Sequence, residues 1–370
     1  MKTPPKSLET VRPQVRALLP YAHAMDTRAL MERYGLERII KLGSNENPLG
    51  PSPLASQAIA EAARDASRYP RADNREIIRA VSGRMGVDAS RIAVGNGSDD
   101  LIDLLIRVKP RPGVDHVLAC YPCFDVYRIQ SATAGVEFRQ VPLLPDYSMD
   151  FDGLAEAADE HTALVFVTNP YNPTGLAKPA DEIEALAKVL PEQCILVVDE
   201  AYIDFVDDFQ RYDMVSRLDR LPNVVLLRTF SKAWGLAGAR LGWGVMPDWL
   251  ADYVRRTQIP FNVNLFAVRA GLAALEDTDH LEKTVRLVQK ERTRLFEALG
   301  ELECEALPSQ SNFLMFSPPI PAGQVYAKLL EQGIIVRPLA PSGLPDHLRV
   351  SVGTGEENGL FLQALAKILE

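Results

Sequence analysis

Thr229-Phe230-Ser231-Lys232-Ala233-Trp234-Gly235-Leu236-Ala237-Gly238-Ala239-Arg240 follows an apolar run, Val224 to Leu227, that reads as a buried strand. A lysine just past such a strand end, between hydroxyl residues and glycines, does little for solubility. It is well placed to bond covalently to an aldehyde. A second apolar strand, Ile195 to Val198, ends in Asp199-Glu200-Ala201-Tyr202. A third, Ala163 to Val167, ends in Asn169-Pro170-Tyr171-Asn172-Pro173-Thr174-Gly175. Ligands of α/β sheets sit outside the carboxyl ends of the strands. The three strand ends therefore deliver an amine, a carboxylate, a phenol and an amide to one crevice.

The same alternation extends along the middle of the chain. Strands are expected at Ile92–Val94, His116–Ala119, Val136–Val141, Ala163–Thr168, Ile195–Asp199, Val224–Arg228 and Leu241–Met246. Their near-continuous apolar character suits a sheet covered on both faces. Between them lie amphipathic stretches such as Asp181 to Leu190, with Ile183, Leu186, Ala187 and Leu190 on one face. This is an α/β pattern with a mostly parallel sheet. From about Asn264 the texture changes. Ala267 to Leu275 and Leu281 to Leu299 read as long helices. Strand-like Asn312–Phe316, Ile334–Arg337 and Leu348–Val352 follow, then a last helix from about Glu356. A second, smaller α+β domain is expected there.

The chain has 370 residues, with 40 Lys and Arg against 49 Asp and Glu, a formal net charge of -9. That balance argues for solubility and against nucleic acid or an anionic membrane as the main partner. Met1 to Pro20 carries charges and prolines without an apolar core, so no signal peptide is expected. No apolar stretch approaches the roughly 20 residues that span a bilayer. Cytoplasmic residence is the expectation. The four cysteines do not make a disulfide framework in a chain this long. Cys120-Tyr121-Pro122-Cys123 has the Cys-x-x-Cys redox spacing. It lacks a second pair for a zinc site and thioredoxin-like surroundings, so it reads as two small residues near a strand end. The five histidines are scattered and none pairs with a Ser or Cys motif, which leaves a hydrolase triad without support. No metal site is expected.

Further segments stand out: Lys41-Leu42-Gly43-Ser44-Asn45-Glu46-Asn47-Pro48, Ser67-Arg68-Tyr69-Pro70, Gly95-Asn96-Gly97-Ser98-Asp99-Asp100 and Leu348-Arg349-Val350-Ser351-Val352-Gly353-Thr354. With the Lys232 segment and the Asn-Pro-Thr-Gly turn, they make the chain resemble, nearly end to end, the fold-type-I aminotransferases that depend on pyridoxal phosphate. The Asn-Glu-Asn-Pro segment points to their histidinol-phosphate aminotransferase subgroup. The resemblance implies a mostly parallel sheet of seven strands, one of them antiparallel. It implies a large cofactor-binding domain over 51–261, a small domain from 25–50 and 262–370, an N-terminal arm over 1–24, and a hinge region near Pro260.

Lys232 is then the residue that bonds the cofactor aldehyde and later shuttles a proton, which requires a lowered pKa. Asp199 is expected to pair with the pyridine nitrogen, and Tyr202 and Asn172 to reach the ring oxygen. The glycine turn before Ser98 and Asp99 opens an amphipathic helix through Leu101, Leu104 and Leu105, so its amides point at an anion. The two aspartates suit a helix start, and their carboxylates can point away while their amides bind the phosphate. Thr229 and Ser231 add hydroxyls. Arg240 matches the family's phosphate-binding arginine, a fork of donors suited to phosphate. Phe124, in the place of the family's usual tyrosine, is expected to stack on the ring; Tyr121 is the competitor. Tyr69 matches a tyrosine that reaches the neighbouring subunit's phosphate, which implies a C₂ homodimer.

For the substrate, Arg349 matches the arginine that binds carboxylate across the superfamily. Arg337, in Gly333-Ile334-Ile335-Val336-Arg337-Pro338, offers a second cation that suits a doubly charged phosphate. Tyr21 matches an N-terminal tyrosine that covers the substrate, and Asn45 is a further pocket candidate. The reaction implied is transamination between L-histidinol phosphate and 2-oxoglutarate, giving imidazole-acetol phosphate and glutamate. An aromatic amino acid aminotransferase and a pyridoxal-phosphate-dependent decarboxylase of a phosphorylated amino acid share the scaffold and stay open. An effector-sensing module of a transcription regulator would need a DNA-binding domain ahead of it. Residues 1 to 40 are too short and not basic.

Overall fold

The computed structural model describes residues 10–18 and 27–370. In chain order the strands are β1 (Ile40–Lys41), β2 (Ile92–Gly95), β3 (His116–Tyr121), β4 (Glu137–Pro142), β5 (Thr162–Thr168), β6 (Ile195–Asp199) and β7 (Val224–Thr229). Then come β8 (Gly242–Val245), β9 (Glu305–Ala306), β10 (Phe313–Ser317), β11 (Ile334–Ile335), β12 (Arg337–Pro338) and β13 (Leu348–Ser351). A seven-stranded sheet runs in the order β2-β8-β7-β6-β5-β3-β4. Only β8 is antiparallel to its neighbours β2 and β7; the other pairs are parallel. Every residue of β5, β6 and β7 is buried, because helices cover both faces and no strand position meets water. The chain leaves β3 for β4 on one flank and returns to β5 on the other. The carboxyl ends of β3 and β5 thus flank a topological switch point, where α/β sheets form their crevices.

One apolar core surrounds this sheet. A second gathers Ile40, Leu42, Val288, Leu295, Phe313, Phe316, Leu348, Val350 and Phe361 around a sheet of order β12-β13-β10-β9 and the parallel pair β1-β11. Two features differ from the sequence reading. The strand expected over Ile334–Arg337 is split: β11 pairs with β1, and β12 pairs with β13. Pro338 lacks an amide donor and is tolerated because β12 is an edge strand. Helix Leu265–Glu276, expected in the smaller unit, packs into the large core through Ala267, Ala270 and Ala274. A Cβ on its Gly271 would lie 2.4 Å from Leu241 Cδ2, so the small residue lets the helix approach closely. Leu281, near the start of helix Thr278–Glu301, packs against both cores.

Cys120 and Cys123 are free and buried, and burial pushes the Cys120 thiol up to about 12. A thiol held neutral in this way is a poor redox nucleophile. Among the described residues, no helix is long and apolar enough to cross a membrane.

Candidate active site

The ends of β5, β6 and β7 open onto a cavity of about 210 Å³ that Lys232, Asp199, Asn172, Tyr202, Phe124, Ser98, Asp99, Thr229, Ser231 and Arg240 all line. Lys232 Nζ donates to the Ser44 carbonyl at 3.3 Å and lies 5.7 Å from the centre of the Tyr202 ring. Burial, then the positive charge of Arg349, lowers its pKa to about 8. Desolvation penalises the ammonium, and a like charge adds to the effect. The amine is therefore neutral for an appreciable part of the time near neutral pH. Asp199 ends β6 and is almost fully buried. Burial pushes its carboxyl up to about 6, opposed chiefly by a hydrogen bond from Tyr127.

Gly97 takes a positive φ of 83° immediately before helix Ser98–Val108. A Cβ there would lie 2.3 Å from Arg240 Nη2, so the glycine lets the guanidinium rest on the helix start. Arg240 Nη1 donates to Ser231 Oγ at 3.3 Å, and Ser231 Oγ in turn accepts from Thr229 Oγ1 at 2.9 Å. A helix N-terminus, two hydroxyls and a guanidinium converge, which is the donor set of an anion site. One detail corrects the sequence reading. The Asp100 carboxylate does turn away, accepting from the Asn96 amide at 2.9 Å. The Asp99 carboxylate instead lines the cavity and accepts from Arg240 Nη2 at 3.0 Å, because the guanidinium crosses the first turn beside it.

Gly242, at the start of β8, closes the floor of this cradle. A Cβ on it would stand 2.3 Å from the Ser98 amide nitrogen and 2.5 Å from the Gly97 carbonyl carbon. Both are backbone atoms, so the main chain has to move. Gly242→Ala is expected to destabilise the fold by about 1–3 kcal/mol, the usual range for overpacking, and to displace the helix start. Denaturant unfolding checks this; a midpoint equal to that of the parent protein would contradict it.

A second cavity of about 230 Å³ adjoins the first and shares Phe124, Asn172, Tyr202 and Lys232 with it. It adds Asn45, Arg337 and Arg349. Arg337 and Arg349 are register partners across β12 and β13, so their side chains leave the same face. Arg349 Nη2 donates to the Gly43 carbonyl at 3.2 Å, and its Nη1 to Asn172 Oδ1. The Asn172 oxygen is thereby engaged and its amide NH₂ group remains the donor end. Asn45 lines the cavity, yet its Nδ2 donates to Tyr202 Oη at 3.1 Å and its Oδ1 accepts from Ser351 at 3.0 Å. Its geometry is that of a brace for Tyr202.

One expected residue is not gathered here among those described. Tyr69 is 82% exposed and stacks on Phe261 with ring centres 4.4 Å apart, away from both cavities. Tyr21 lies outside the described residues. Phe124 lines both cavities, whereas Tyr121 lines neither. Sequence reasoning passed over Thr168, which lines the first cavity, and Tyr127, whose hydroxyl lies 2.8 Å from Asp199 Oδ2. A tyrosine near a helix start reads as core, and no motif marks where its hydroxyl points.

Residues 37–365 match the family described as aminotransferase class I and II. The chain belongs to that family. Among curated relatives of this aminotransferase, the histidinol-phosphate aminotransferase of Nitratidesulfovibrio vulgaris (strain Hildenborough) is 46% identical over 98% of this chain and 97% of its own length. That of Oleidesulfovibrio alaskensis is 47% identical over 99% of this chain and 96% of its own. Among solved structures, histidinol-phosphate aminotransferase from Sinorhizobium meliloti in complex with pyridoxal-5'-phosphate superposes with a TM-score of 0.88 at 28% identity, covering 97% of each chain. The aminotransferase thus resembles these relatives over nearly its whole length.

Proposed function

We propose that this aminotransferase moves the amino group of L-histidinol phosphate to 2-oxoglutarate, yielding imidazole-acetol phosphate and glutamate, a step of histidine biosynthesis. The cofactor is pyridoxal 5'-phosphate, and the donor set fits it. A buried carboxylate, a lowered-pKa amine and an anion cradle all line one cavity. When bound, the cofactor supplies an aldehyde that carries the amino group and a ring that accepts electrons. The amides of Ser98 and Asp99 with Thr229, Ser231 and Arg240 would hold its phosphate, Asp199 its ring nitrogen, Tyr202 and Asn172 its ring oxygen, and Phe124 would pack on its face. Lys232 Nζ takes the proton from the amino-bearing carbon of the substrate.

The observation that carries the substrate reading is the pairing of Arg337 with Arg349. Like charges directly opposite each other across two strands are destabilising. Two guanidinium groups on one face beside the lysine cavity suit a ligand with more than one negative charge, and a phosphate monoester is such a ligand. The test is a donor panel: histidinol phosphate, glutamate and phenylalanine, each followed by the cofactor's absorbance change. The highest kcat/KM is expected for histidinol phosphate. Rapid conversion of phenylalanine with none of histidinol phosphate would favour the aromatic aminotransferase instead. Release of carbon dioxide from a phosphorylated amino acid would favour the decarboxylase.

The same reading makes the enzyme a cytoplasmic homodimer in which Tyr69 serves the partner's cofactor phosphate. An exposed tyrosine stacked on Phe261, remote from its own chain's cavity, supports that role. The small domain comprises 25–50 with the chain beyond the large unit. The packing of helix Leu265–Glu276 into the large core favours a boundary at the start of helix Thr278–Glu301. Tyr69→Phe should weaken cofactor retention by about 1.5–3 kcal/mol, the range for one hydrogen bond to a charged group. Lys232→Ala chains mixed with Tyr69→Ala chains should recover activity that neither shows alone. A monomer at micromolar concentration would rule the shared site out.

A further inference from the structure

Tyr127 lines neither cavity, yet it is tied to the buried carboxylate of the site. It stands in the first turn of helix Val126–Ala134 and is fully buried. Its ring stacks on Phe166 at 4.3 Å and meets Phe124 edge-on at 5.7 Å. Its Oη lies 2.8 Å from Asp199 Oδ2 and 2.8 Å from Thr168 Oγ1. A phenol has one proton, and an ionised carboxylate can only accept. That proton therefore points at Asp199, and Thr168 is the donor to Tyr127. Thr168 ends β5 as the register partner of Asp199. The other carboxylate oxygen, Oδ1, accepts from the Ala201 amide at 3.2 Å. Both oxygens of Asp199 are thus held by protein donors.

We propose that Tyr127 is a positioning residue for the reaction: oriented by Thr168, its hydroxyl holds Asp199 ionised and in one fixed orientation toward a cationic ring nitrogen. This rests on the cofactor assignment above. The groups that face Asp199 divide by sign. Burial and the Asp99 charge favour its neutral form; the Tyr127 hydroxyl, the Ala201 amide and the Lys232 charge favour its ionised form, and Tyr127 is the strongest of these three. Phenylalanine at 127 would keep the stacking on Phe166 and remove only that hydroxyl.

The experiment measures the dissociation constant of pyridoxal phosphate from the cofactor-free protein between about pH 5 and about pH 9, together with the thermal midpoint of that protein. Wild type, Tyr127→Phe and Thr168→Val are compared. Loss of the Tyr127 donor raises the Asp199 pKa, so its carboxyl stays protonated to higher pH. Binding by Tyr127→Phe should be about 10-fold or more weaker near neutral pH, within the range for a hydrogen bond to a charged group. Its loss of affinity on the acid side should begin roughly one pH unit higher than in wild type. The gap should narrow at the alkaline end, where the carboxyl ionises in both proteins. Thr168→Val should shift the curve in the same direction by less, and it carries the test if Tyr127→Phe does not fold. Superposable pH curves, with only the thermal midpoint lowered, would reduce Tyr127 to core packing and overturn the proposal. A wild-type protein that binds no pyridoxal phosphate would instead overturn the cofactor assignment.

Discussion

Lys232→Ala is expected to keep pyridoxal phosphate bound and to lose turnover by at least about 10²–10⁴-fold, the range contributed by a positioned acid–base group. The two halves of this expectation rest on different residues. Retention comes from the anion cradle, where Arg240, Ser231 and the start of helix Ser98–Val108 are held by contacts that do not involve Lys232. Turnover needs an amine in the crevice that can be neutral, and burial brings the Lys232 pKa down to about 8 for that task. The absorbance of the covalent lysine–cofactor link should vanish, and borohydride reduction should no longer fix the cofactor to the chain. Lys232→Arg is a sharper control: it keeps the positive charge and removes the ability to become neutral, so it should be as inactive as alanine. Near-normal transamination by either variant would displace Lys232 from the centre of the reaction.

Much of this site was legible because each part stands in a local sequence context that dictates its geometry. The run Ile195–Asp199 is buried on both faces, so its apolar length coincides with β6, and a carboxylate at its end has to emerge at the sheet edge. The same holds for the segments after β5 and β7. What was not legible depends on atoms far apart in sequence. The Asp99 carboxylate turns toward Arg240, 141 residues later, and no helix-start rule foresees that. Tyr127 meets Asp199 across 72 residues. The break at Val336, which sends Ile334–Ile335 to one sheet and Arg337–Pro338 to another, follows from which neighbours lie alongside. A continuous run of β-branched residues carries no trace of it. Helix Leu265–Glu276 has the small residues of a close-packed helix, but its sequence does not say against which core.

Arg337→Leu should damage the histidinol-phosphate half-reaction more than the glutamate half-reaction. The two arginines leave one face of the β12-β13 pair but are held differently. Arg349 is almost fully buried, is anchored by Asn172 and the Gly43 carbonyl, and lies 5.0 Å over the Phe313 ring. That anchoring aims a rigid fork at the cavity shared with Lys232, where either acid group of the two donors is presented. Arg337 is half-buried at the edge strand and adds a charge that suits a doubly charged phosphate. Loss of one charged contact corresponds to about 1.5–3 kcal/mol, or roughly 10–150-fold in kcat/KM for histidinol phosphate. Arg349→Leu should lower both half-reactions, because it also strips Asn172 of its partner. Single-turnover absorbance kinetics with each donor separate the two. Equal losses for both donors in Arg337→Leu would remove the phosphate role from Arg337. Weight would then move to the aromatic amino acid aminotransferase reading.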